Sequence, residues 1–113
     1  MDNKMPQAVQ SCHKMMLWMI PQLDKFPRSR RFTLGERIEQ SMLGVLSLLI
    51  EATYAKRGKP RLLEQVNTSL TVLKHLWRLA FELGTIAKKQ YGFGAGLMLD
   101  LGQQIGGWQK ASQ

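Results

Sequence analysis

The side chains best suited to covalent chemistry, Cys12 and His13, are adjacent. On a helix, neighbouring side chains diverge by about 100°, so these two cannot act as nucleophile and base. A lone cysteine on an apolar stripe reads as core. Neither His13 nor His75 has a glutamate three residues earlier, as the di-metal carboxylate bundles require, and no metal site or cofactor is expected. The run "YGFGAG" at 91–96 has the glycines of a phosphate loop. It lacks both the GxGxxG spacing and the lysine of GxxxxGK[ST], so it does not read as a nucleotide site. The composition instead points to non-covalent phosphate chemistry: "FPRSRRFTLGERIE" at 26–39 places Arg28, Arg30 and Arg31 within four residues, and the chain carries a net charge of +8.

Such a balance favours a polyanionic partner, nucleic acid before an acidic membrane surface. Residues 28–61 hold eight basic residues against three glutamates. The eight are Arg28, Arg30, Arg31, Arg37, Lys56, Arg57, Lys59 and Arg61. Lys56 and Arg57 follow a helix and suit the negative end of its dipole. The triplet Arg28, Arg30 and Arg31 precedes a helix, at the positive end, where it does not serve stability and points to external use. Arg37, beside Glu36, fits a surface ion pair as well as a contact.

Four segments must position these charges. Val9, Cys12, Met16, Met19, Leu23 and Phe26 recur at three and four, forming one stripe on a first helix over 5–25. Pro21 should kink it or end it early. Thr33 and Glu36 form a capping box that starts a second helix at Leu34, carrying Ile38, Met42, Val45, Leu46, Leu49 and Thr53. Gly58 and Pro60 separate it from a third helix bearing Leu62, Leu63, Val66, Leu70, Leu73, Trp77, Ala80 and Leu83. After Gly84 and Thr85, a fourth helix takes Ile86, Phe93, Leu97, Leu101, Ile105 and Trp108. Gly92, Gly94 and Gly96 weaken its first half and permit close backbone approach, within the bundle or to another subunit. With no alternating strand pattern, the fold class is all-α, an up-down-up-down four-helix bundle, as one domain over 1–113.

In that topology Arg28, Arg30, Arg31, Lys88 and Lys89 share one end, the lysines lying in the connection before helix four. Lys56, Arg57, Lys59, Arg61 and Lys110 share the other, about 30 Å away. Lys74, His75 and Arg78 on helix three bridge them along the wall. Trp18, Trp77 and Trp108 read as core or interface anchors, with base stacking the lesser reading. The longest apolar block, "MLGVLSLLI" at 42–50, is far below the ~20 residues of a bilayer span, so no membrane association is expected. Asp2 and Asn3 lead into no secretory signal pattern, and a single cysteine fits a reducing, cytoplasmic compartment.

The segments "FPRSRRFTLGERIEQSMLGVLSLLIEATYA", "LKHLWRLAFELG" and "LGQQIGGWQKA" resemble a family of four-helix bundles. It comprises the accessory variability determinant (Avd) of diversity-generating retroelements and related proteins encoded in 23S ribosomal RNA intervening sequences. The likeness runs over roughly 15–111, and "RFTLGERIE" and "IGGW" are its most specific parts. The resemblance implies a homopentameric barrel and a non-enzymatic partner of the retroelement's reverse transcriptase. That partner would bind the enzyme and the template RNA, or DNA, so that mutagenic cDNA synthesis proceeds. Arg28, Arg30, Arg31, Arg37 and Arg78 match basic positions of the family pattern and become candidate RNA or polymerase contacts. Lys56, Arg57, Lys59, Arg61, Lys74, Lys88 and Lys89 complete the candidate surface. The glycines at 92, 94 and 96 depart from that pattern and leave the start of helix four open. Two alternatives stand: an intervening-sequence-type protein, and a protein-interaction scaffold that does not touch nucleic acid.

Overall fold

The computed structural model describes residues 5–112, so Asp2 and Asn3 lie outside it. Four long helices account for most of the chain: α1 (Gln7–Leu23), α2 (Glu36–Tyr54), α3 (Lys59–Glu82) and α4 (Lys88–Ala111). A helical turn, Arg28–Arg30, and a π-helical segment, Arg31–Gly35, lead into α2. No strand occurs among the described residues. The helices pack in chain order, and α4 closes back on α1. The α2–α3 and α3–α4 connections, of four and five residues, reach at most about 17 Å, far less than the ~36 Å of a 24-residue helix, so those helices must run antiparallel, and Gly35, just before α2, lies against Phe26 and the Leu23 carbonyl at the end of α1. The result is a four-helix bundle 43 Å long.

The α1 stripe is buried as expected, and Phe26 extends it past the helix end. Pro21 lies inside α1, which stops two residues later at Leu23. The start of the second helix differs from expectation. Pro27 begins helical structure directly, its carbonyl accepting the amides of Arg30 (2.8 Å) and Arg31 (2.9 Å). Thr33 therefore has helical neighbours on both sides, and its hydroxyl donates back to the carbonyls of Ser29 and Arg30. With Thr33 inside helical structure and the Glu36 amide bonded to the Arg31 carbonyl, no capping box forms. The π turn, in which the Glu36 amide reaches back to the Arg31 carbonyl, fits the extra residue into the run. The arginines thus lie on a helical first turn instead of a loop.

The α2–α3 and α3–α4 turns follow the punctuation. Gly58 adopts a left-handed φ of 73°, and Pro60 sits in the first turn of α3. Gly84, at φ 78°, ends α3, while Thr85 donates both its amide and its hydroxyl to the Ala80 carbonyl. In α4, Lys88 and Lys89 belong to the first turn and not to the connection. The stripe read there needs a second correction. Phe93 is 53% exposed, and the buried positions are Gly94, Met98, Leu101 and Ile105. Residues four apart advance 400° and drift by about 40° per step around the helix, whereas 94, 98, 101 and 105 stay on one face.

Of the suggested close approaches, Gly94 makes one inside the bundle. A Cβ there would stand 2.7 Å from Trp77 Nε1 and 2.8 Å from Cε2. The indole fills that space, 1% exposed, donating Nε1–H to the Tyr91 carbonyl (3.0 Å) and meeting Trp18 edge-on. Gly92 and Gly96 face open space.

Candidate nucleic-acid interface

The antiparallel order brings Arg28, Arg30 and Arg31, which precede α2, to the same end of the bundle as Lys88 and Lys89 at the start of α4. All five are exposed. The opposite end gathers Lys56, Arg57, Lys59, Arg61 and Lys110. Lys59 is half-buried, its ammonium 6.0 Å from the centre of the Trp108 ring; the other four are exposed. Along the wall, Arg78 is exposed, and Lys74 borders a hollow of about 330 Å³ between α3 and α4 that Trp77, Tyr91 and Leu99 also line.

Pairing decides how much of this charge is available. Among the described residues the only ion pair is Arg78 Nε to Glu82 Oε2 at 3.6 Å, one turn apart and solvent-exposed on both sides. Such pairs contribute about 0–1 kcal/mol and are screened by salt. Arg37, despite Glu36 beside it, is unpaired there, and so are Arg28, Arg30 and Arg31. The triplet is therefore concentrated at one end of the bundle, exposed, helical and without an internal partner.

The other sequence candidates for chemistry take structural places. Cys12 is buried, its thiol 3.9 Å from the Met16 sulfur, and burial pushes its pKa up to about 12, so it stays protonated at neutral pH. His13 and His75 lie exposed on different helices, and no three metal-ligating side chains converge among the described residues. No described helix is long and apolar enough to cross a membrane.

Over residues 7–112 the chain matches the family model described as bAvd-like. The chain belongs to the bAvd-like family. The match takes in all four helices and both basic ends, and it indicates an accessory protein of the Avd type. No curated protein is similar enough to this bAvd-like chain to count as a relative.

One feature escaped the charge pattern. Three aromatic side chains are exposed, and each has basic neighbours: Phe32 beside Arg31, Phe93 one turn after Lys89, and Tyr54 ahead of Lys56 and Arg57. The signal was available in "RRF", where a phenylalanine interrupts a polar run just ahead of the helix stripe.

Proposed function

We propose that this bAvd-like chain is a non-enzymatic accessory subunit of a diversity-generating retroelement. It binds the element's reverse transcriptase and template RNA, or DNA, in the cytoplasm and supports mutagenic cDNA synthesis by electrostatic scaffolding. Family membership over 7–112 supports the accessory role. The observation that carries the nucleic-acid part is the unpaired triplet Arg28, Arg30 and Arg31 at the end shared with Lys88 and Lys89. Guanidinium groups form bidentate bonds with phosphate, and each neutralised phosphate releases counterions. Arg37, Lys74 and Arg78 extend the surface along the wall, and Lys56, Arg57, Lys59 and Arg61 form its far end.

Assembly as a homopentameric barrel would repeat the triplet around an axis. Five copies make a basic collar whose avidity for a long polyanion exceeds that of one protomer. The repulsion this creates would be relieved by RNA or by an acidic face of the polymerase.

Reconstitution tests the reading. Reverse transcriptase and template RNA are combined with and without the purified chain, and cDNA yield is measured. The expected result is cDNA whose amount rises with added chain up to a fixed stoichiometry. Equal yield without the chain would overturn the accessory role.

A further inference from the structure

Phe32 directly follows the unpaired arginines Arg28, Arg30 and Arg31 and is 61% exposed. Single exposed apolar residues are common and need no function. Phe32 differs in its surroundings. The Arg31 guanidinium carbon lies 4.6 Å from the ring centre, holding the ring beside a fixed positive charge. At its foot is a hollow of about 270 Å³, lined by Phe32, Arg31 and Leu23 together with the acidic residues Asp24, Glu36 and Glu39. None of the three carboxylates has an ion-pair partner among the described residues.

This combination fits the parts of an unpaired nucleotide. A phenyl ring supplies a face on which any base can stack, and arginines supply phosphate contacts. Carboxylates accept hydrogen bonds from the N–H groups on a base edge. In a duplex those edges are already paired and the faces already stacked, so the hollow discriminates against double strands. The three acidic residues in the lining repel phosphate, so the base and not the backbone would enter the hollow, with the phosphates held outside it by Arg28, Arg30 and Arg31.

We infer that the Phe32 hollow is a stacking site for an unpaired nucleobase, so that this end of the bundle selects single-stranded segments of the nucleic acid over duplex. The inference rests on the nucleic-acid reading above and narrows it to a class of ligand.

The test compares binding of one labelled, unstructured RNA oligonucleotide with binding of the same strand annealed to its complement. Wild-type protein, Phe32→Ala and Phe32→Tyr are measured by fluorescence anisotropy. Phe32→Ala should weaken single-strand binding by about tenfold, the scale of one lost base–aromatic stack. Its duplex affinity should stay within about twofold, and its salt dependence should match wild type because no phosphate contact is removed. Phe32→Tyr keeps the ring and should bind as wild type does. The side chain is exposed, so thermal melting of both variants should match wild type. Equal losses on the two RNAs, or no loss on either, would overturn the stacking site while leaving the nucleic-acid reading in place. Failure of wild type to bind either RNA would overturn both, as would capture of an arginine-rich peptide in their stead.

Discussion

Replacing Trp77 with alanine is expected to lower the free energy of unfolding by about 3–5 kcal/mol, a large part of the ~5–15 kcal/mol that holds a typical domain together. Trp77 is the largest of the fully buried side chains. It meets Trp18 edge-on at 6.2 Å between ring centres and joins α3 to α4 through its bond to the Tyr91 carbonyl. Alanine would leave an apolar cavity between helices and remove that donor. Gly94 gives a companion result. Gly94→Ala places a methyl 2.7–2.8 Å from the indole, so it should cost about 1–3 kcal/mol in the wild-type background. In a Trp77→Phe background the smaller ring recedes, and the same substitution should cost distinctly less. Urea denaturation of the four variants of this cycle measures the coupling. Independent, additive effects would show that the indole and Gly94 do not share space as described.

The second large effect concerns binding. Changing Arg28, Arg30 and Arg31 together to glutamine should leave helical content and thermal melting unchanged, because all three are exposed and unpaired. Affinity for RNA should fall steeply. Each phosphate neutralised contributes about 0.7 to the slope of log affinity against log salt for single strands. Three lost contacts remove a slope of about 2, equivalent to roughly a hundredfold at 0.1 M salt relative to 1 M. Filter binding with wild type and the triple variant checks this, and unchanged affinity would remove the triplet from the interface. Glutamine at Lys56, Arg57, Lys59 and Arg61 provides the matching comparison for the opposite end.

How far the sequence reveals this molecule depends on how local each signal is. The α1 stripe was legible because spacings of three and four hold Val9 to Leu23 on one face, and all of those positions are buried. The assignment of basic residues to two ends was legible too. It needs only antiparallel helices, and short connections impose that order. The α4 stripe held at Leu101 and Ile105 but misled at Phe93 and Leu97, whose spacing of four drifts off the buried face, while Gly94 and Met98 carry no strong individual signal. At Thr33 and Glu36, the capping-box pattern occurs at a place where Pro27 has already started the helix. Pattern alone does not show which of two valid start signals wins. The hollow at Phe32 was the least visible element. It combines Asp24, from the α1–α2 connection, with Glu36 and Glu39 from α2, and its shape depends on the π turn that seats buried Gly35 over Phe26.

The central claim is that the unpaired arginine cluster exists to meet phosphate. The most direct measurement is the affinity of the purified full chain for a structured RNA across a salt series. The claim predicts that the logarithm of affinity falls linearly with log salt, with a slope steeper than about −2, as neutralising at least three phosphates requires. Absence of binding at low salt, or affinity indifferent to salt, would contradict it and assign the charge to a protein partner.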